Sequence, residues 1–123
     1  MEGAKIIKPD VNKEFWTEEN CFILESSNSL DDQDVSIARA RVAIGEQTRW
    51  HRVKETVERY YILEGEGLVE VGELEPSVVK PGDVVLIPES CPQRIKNTGS
   101  VDLVFLAICS PRFVPEAYED IEP

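Results

Sequence analysis

Short apolar or alternating runs, each ended by turn residues, follow one another along the chain from position 35 onward. Runs of about four to eight residues with alternating apolar and polar positions are typical of half-buried strands, whereas helices need longer runs of another period. The runs cover residues 35–44, 59–63, 68–71, 78–79, 84–87, 93–96 and 101–108. Strands at this spacing predict an all-β sandwich or barrel, and we expect a small jelly roll.

The two ends of the chain are less regular than this middle part. Residues 21–24 are predicted as an edge strand, and the polar stretch 26–34 is predicted as a surface loop. Beyond Pro111 the chain is acidic, with Phe113, Val114 and Tyr118 as apolar anchors. This segment predicts either a short helix over 116–120 or an arm that packs on another subunit. The single domain then consists of an irregular N-terminal part (1–34), a barrel (35–110) and a short acidic C-terminal arm (111–123).

The charge of the chain restricts its partners. Its 123 residues include 24 acidic and 13 basic side chains, which give a formal net charge of −11. Nucleic acids and anionic membranes are bound through clustered lysine and arginine, and this sequence has no such run. We therefore expect neither a nucleic acid nor a membrane as partner. A chain of this length buries about two-thirds of its unfolded surface, which suffices for one core.

Two further features bear on the compartment. No stretch reaches the about 18 consecutive apolar residues of a membrane span, and positions 1–10 lack the apolar stretch of a secretory signal. Cys21, Cys91 and Cys109 are widely spaced and odd in number, which argues against a disulfide framework or a zinc knuckle. We expect a cytoplasmic protein with reduced thiols.

Two blocks of glycine, proline and polar residues have regular spacing. The first block consists of Gly45, His51, Val53, Glu58 and Gly65, and the second consists of Gly82, Pro88, Gln93 and Asn97. In these positions and this order they resemble the two motifs of the cupin superfamily, in its small single-domain form. The resemblance covers about residues 37–109. It implies a double-stranded β-helix, or jelly-roll barrel, whose interior carries three histidines and one glutamate around a divalent metal.

The ligand set that this resemblance implies is incomplete here. His51 and Glu58 occupy ligand positions, but Val53 replaces the second histidine and Gln93 replaces the third. An amide oxygen is a poorer ligand than imidazole, and valine supplies none. We therefore predict, at His51, Glu58 and Gln93, a weakly held divalent metal (zinc, iron, nickel or manganese) or a vestigial site. Alternatively, Gln93 binds a substrate oxygen or caps a loop.

Candidate substrate-binding residues follow from strand alternation. Residues two apart in a strand share a face, so Tyr60 lies on the face of Glu58, where its hydroxyl can donate to a substrate. Trp50 adjoins His51 and is predicted at the rim. Arg39 and Arg41 share one face of the 35–44 strand; they are either interior partners of Glu58 or ordinary surface charges.

Three functions remain open on this evidence. The first is a homodimeric cupin that binds a small polar metabolite in its barrel. The second is a metal-dependent cupin enzyme of the isomerase, lyase or dioxygenase type. The third is a protein-interaction module whose acidic surface and C-terminal arm engage a basic protein partner. The dimer follows from the resemblance and from the strand 101–108, which is apolar on both faces.

Overall fold

The computed structural model describes residues 3–123, which form eleven β-strands and two 3₁₀ segments, Val11–Lys13 and Pro115–Ala117. The strands are Phe15–Thr17 (β1), Cys21–Ser27 (β2), Ser36–Val42 (β3), His51–Val53 (β4), Val57–Glu64 (β5), Gly67–Val71 (β6), Ser77–Val79 (β7), Val84–Ile87 (β8), Gln93–Asn97 (β9), Leu103–Ser110 (β10) and Tyr118–Asp120 (β11). Every run that the alternation predicts as a strand is one.

The strands form two antiparallel sheets. One sheet has the order β1-β2-β3-β10-β5-β8, and the other has the order β11-β4-β9-β6-β7. Apolar side chains of both sheets share one core; they include Val42, Ile62 and Phe105 from the first sheet and Val69 and Ile95 from the second. The predicted all-β jelly roll is confirmed. No helical segment in residues 3–123 is long and apolar enough to cross a membrane.

The prediction of an edge strand over residues 21–24 is wrong in its position. β2 lies between β1 and β3, and the edge belongs to β1, in which Phe15 pairs with Ile23 and Thr17 with Cys21. Three residues give too little alternation for β1 to be recognised in the sequence. The predicted surface loop also begins later, because β2 continues through Ser27.

The predicted helix over residues 116–120 is also wrong. A 3₁₀ turn at Pro115–Ala117 leads into β11, which pairs with β4 so that Tyr118 lies opposite Val53 and Asp120 opposite His51. Glu119 forms an ion pair with Arg52 across this ladder. The acidic segment therefore packs on its own second sheet.

Gly65, in the turn between β5 and β6, is required by both its conformation and its surroundings. Its φ is +83°, and a Cβ there would lie 2.6 Å from the carbonyl oxygen of Asp102. Gly45 has a similar φ of +79°, but a Cβ there would meet nothing within 4 Å. An added side chain would therefore cause backbone strain at both glycines and steric overlap only at Gly65.

We expect Gly65→Ala to lower the free energy of unfolding more than Gly45→Ala does. Each variant loses about 1–2 kcal/mol because a side chain at positive φ is strained, and Gly65→Ala loses about 1–3 kcal/mol more because the backbone around Asp102 must shift. Urea unfolding followed by tryptophan fluorescence measures both values. Equal losses would show that the contact with Asp102 relaxes at no cost.

Candidate functional site

A cavity of about 460 Å³ lies between the sheets and is closed at one side by the two ends of the chain. β3 contributes Ala38 and Ala40, whose small side chains leave room, and β10 contributes Phe105. The N-terminal strand β1 adds Phe15, and the C-terminal segment adds Tyr118. The volume is within the range of about 300–1,000 Å³ that is typical of small-molecule sites.

Two buried polar side chains, Glu58 and Tyr60, form the floor of this cavity, and a third, Gln93, lies beneath them. Glu58, Tyr60 and Gln93 have exposed fractions of 7%, 2% and 1%. The hydroxyl of Tyr60 donates to Oε1 of Gln93, and Nε2 of Gln93 donates to Oε1 of Glu58 over 2.8 Å. The thiol of Cys109 lies 3.8 Å from the other carboxyl oxygen of Glu58. A chain of hydrogen bonds thus runs from β5 to β9 and back to β5.

Burial controls the acidity of these groups. Desolvation raises the pKa of Glu58, although His51 and the hydrogen bond from Gln93 oppose the shift. Desolvation, together with the neighbouring Glu58, raises the pKa of Tyr60 well above its ordinary value. For the same two reasons the pKa of the Cys109 thiol is raised. Burial therefore raises the pKa of all three groups above their ordinary values in water.

His51 forms the wall beside this floor. Its Nδ1 lies 2.7 Å from the carbonyl oxygen of Arg49, so Nδ1 carries a hydrogen and donates. The other nitrogen, Nε2, lies 3.4 Å from Oε2 of Glu19, and the ring stacks on that of Tyr118 with centroids 5.3 Å apart. Burial raises the pKa of Glu19, which His51 opposes. Nε2 of His51 and Oε2 of Glu19 are both acceptors when neither carries a hydrogen, so this contact is attractive when one of the two atoms does.

Four of the candidates from the sequence converge on the cavity. His51, Glu58 and Tyr60 line it, and Gln93 joins the latter two from beneath. His51 and Gln93 are direct partners of the β4–β9 pairing, which explains why the two motifs meet although 42 positions separate them.

The placement of Arg39 and Arg41 inside the barrel is corrected by the structure. The alternation of β3 turns Ala38 and Ala40 toward the cavity and both arginines outward. Arg41 donates to Glu14 over 2.6 Å and to Asp102 over 3.1 Å, and Arg39 lies 3.6 Å from Glu14. They are the surface charges of the alternative interpretation.

Trp50 also lies away from the cavity. Its ring packs under the guanidinium of Arg94, 4.4 Å from the ring centroid, and its backbone nitrogen donates to Glu122. β4 begins at His51, whose side chain lines the cavity, whereas Trp50 precedes the strand and is not among the lining residues. The predicted role of Trp50 at the rim is therefore corrected.

Glu19 was missed by the sequence-based search. It lies in the turn between β1 and β2, where a run of polar residues resembles any surface turn. Only the fold brings it to His51, 32 positions along the chain. Tyr118 was recognised as an anchor, but its contact with His51 depends on the β4–β11 pairing.

Two side chains of the predicted metal site, Glu58 and Gln93, are hydrogen-bonded to each other, whereas His51 contacts Glu19 and the carbonyl oxygen of Arg49. Both polar groups of the Gln93 amide have partners, and Val53 supplies no donor atom. In residues 3–123 no three histidine, cysteine, aspartate or glutamate side chains are grouped so that they could hold a metal ion. The donor set as folded therefore does not fit a preformed site for zinc, iron, nickel or manganese.

Fold and site together define a small antiparallel jelly-roll protein with a polar-floored cavity between its sheets. The family model of the cupin domain matches residues 38–109, and the chain belongs to the cupin superfamily. The resemblance stated from the two motifs is thereby confirmed.

The chain is similar in sequence to two further proteins and in fold to a third. An uncharacterized protein of Methanocaldococcus jannaschii is 36% identical over 99% of this chain and 98% of its own. The oxalate-binding protein of Thermotoga maritima is 34% identical over 69% of each chain. A structure of Streptomyces Pac13, a nucleoside dehydratase, in a variant with uridine has a TM-score of 0.78 at 13% identity, covering 96% of this chain and 92% of that one. Similarity at that identity shows the fold alone.

We expect Gln93→Leu to destabilise the protein by about 2–4 kcal/mol, because the buried groups of Glu58 and Tyr60 both lose their partner. Tyr60→Phe serves as the comparison, since it removes one hydrogen bond and the donor together and should cost about 1 kcal/mol. Urea unfolding gives both values. A Gln93→Leu variant as stable as the parent would mean that the chain of hydrogen bonds contributes nothing to stability.

Proposed function

We propose that this protein binds a small polar metabolite in the cavity between its sheets. The observation that supports the proposal is the pair of buried hydrogen-bonding groups, Glu58 and Tyr60, which line the base of an otherwise largely apolar pocket and are joined by Gln93 beneath them. Ligand sites in proteins combine these features, because apolar walls provide affinity and a few polar groups provide orientation. The named relatives include a binding protein and an enzyme, so their names do not decide between these activities.

The other two functions have less support. A metal-dependent isomerase, lyase or dioxygenase requires metal ligation by His51, Glu58 and Gln93, and the Gln93 amide is already bound to its neighbours. An interaction module that uses its C-terminal arm requires that arm to be available, whereas β11 pairs with β4. Metabolite binding requires neither that the hydrogen bonds of Gln93 break nor that β11 separate from β4.

We expect Ala38→Trp to abolish ligand binding, because the indole fills the cavity that Ala38 lines. Val78→Trp is the control, since Val78 is exposed on β7 of the other sheet. Native mass spectrometry of gently purified protein detects a retained metabolite, and thermal shift against a metabolite panel detects one that was lost on purification. A compound that binds the filled variant as well as the parent would place its site elsewhere, and a panel without any binder would contradict the proposal.

The sequence-based prediction of a weakly held metal is tested by metal content. For protein made without a histidine tag or chelator, we expect far less than one metal per chain, with no change in His51→Ala. The double variant Val53→His, Gln93→His restores the two histidines that the cupin motifs imply and should bind about one metal per chain. Near-stoichiometric metal in the parent, lost in His51→Ala, would instead favour the metal-dependent enzyme.

We also retain the homodimer and the cytoplasmic location as proposals. The dimer is supported by the outer face of the first sheet, where Val84 and Leu86 are 63% and 62% exposed beside Tyr61. Exposed apolar side chains on one sheet face are typical of protein interfaces. Light scattering gives the molar mass, and a monomer would contradict the dimer.

A further inference from the structure

The charged side chains that line the cavity are almost all acidic. Five carboxyl groups contribute to the lining, from Glu18, Glu19, Glu25, Glu58 and Asp120. Neither lysine nor arginine is among the lining residues of the described chain, and His51 is the one basic side chain there. Glu18, Glu25 and Asp120 are exposed at the entrance, Glu19 is half-buried, and Glu58 is buried at the floor. A ligand thus meets carboxyl groups from the entrance to the base.

The arginines near this cavity already form ion pairs with carboxylates of the protein. Nε of Arg49 donates to Asp120 over 2.6 Å at the rim, and Arg41 points outward to Glu14 and Asp102. An anionic ligand would therefore enter without a lysine or arginine partner and would face Glu58 and Glu19. Placing a charge in a protein interior beside like charges and without a partner is costly. A free carboxylate or phosphate compound does not match this lining.

Aromatic side chains also line the cavity. Phe15, Phe105, Phe113 and Tyr118 line it together with the acidic groups. The faces of aromatic rings carry partial negative charge and attract cations, and carboxylates pair with the N–H groups of an ammonium or guanidinium ion. Aromatic faces and carboxylates in one enclosed space are the combination that recognises an organic cation.

We propose that the metabolite of this cavity is a small organic cation, an amine or guanidinium compound with an apolar body. The cationic group faces Glu58 and Glu19, and the body lies among the aromatic rings. This assignment rests on the proposed function, because it names the ligand class of the same cavity.

Three compounds of similar shape and different charge test the proposal. They are phenethylamine, 2-phenylethanol and 3-phenylpropionate, which are cationic, neutral and anionic at neutral pH. Ligand-observed NMR and calorimetry at low salt measure their affinities. We expect the amine to bind about tenfold or more tightly than the alcohol, the ratio expected for one carboxylate–ammonium contact. The anion should bind more weakly than the alcohol.

Two charge variants test whether Glu19 and Glu58 cause the expected preference for the amine. Glu19→Gln and Glu58→Gln each remove one carboxylate with little change of shape and should lower the amine-to-alcohol affinity ratio severalfold. Glu73→Gln, outside the cavity lining, is the matched control and should leave the ratio unchanged. Glu19 is half-buried in a turn, so its variant remains informative if Glu58→Gln does not fold.

The outcomes distinguish this inference from the proposed function. If 3-phenylpropionate binds at least as tightly as the amine and Ala38→Trp abolishes its binding, the cavity is a ligand site but the cation preference is wrong. If the amine binds equally well to Ala38→Trp, it binds outside the cavity and the inference fails. If none of the three binds, the inference also fails, and the search for a retained metabolite decides the proposed function separately.

Discussion

The side-chain amide of Gln93 joins the two sheets beneath the cavity, and the arrangement of the site depends on it. Its oxygen accepts from Tyr60 and its nitrogen donates to Glu58, both on β5 of the opposite sheet. A buried carboxyl and a buried phenol are each costly without a partner, and one amide satisfies both because it is donor and acceptor at once. A histidine at this position would offer one donor and one acceptor in a different geometry. Where the resemblance to the cupin motifs implies a histidine, this chain thus has a residue that connects the two sheets.

The central strands could be predicted from the sequence because their residues alternate. In β5 the inward residues Glu58, Tyr60 and Ile62 are buried, and the intervening Tyr61 is exposed. The resemblance to the cupin motifs implied that His51 lies near Gln93, and the two residues pair directly in β4 and β9. The parts that could not be predicted are short strands and long-range contacts. β1 and β11 have three residues each, which is too few for a periodic signal, and they are recognised only by the strands they pair with.

The residues of the site also divide into those that could be predicted from the sequence and those that could not. His51, Glu58, Tyr60 and Gln93 stood out in the sequence because they occupy or adjoin motif positions. Glu19 carries no such signal, since it is one of several polar residues in a turn, and its contact with His51 exists only once β1 and β2 dock. Arg39 and Arg41 show the opposite error: they share a face, as alternation predicted, but alternation does not state which face is inside. The alanines at 38 and 40 settle it, because only small side chains leave space for a cavity on that side.

The pairing of β11 with β4 makes the cavity depend on both ends of the chain. The core strands β5 and β10 make contacts that involve neither end of the chain, whereas the cavity wall needs Glu19 from one end and Tyr118 from the other. The pairing of β5 with β10 needs neither of these two side chains. A molecule whose ends have frayed can therefore keep its central sheet and still lack one wall of the cavity.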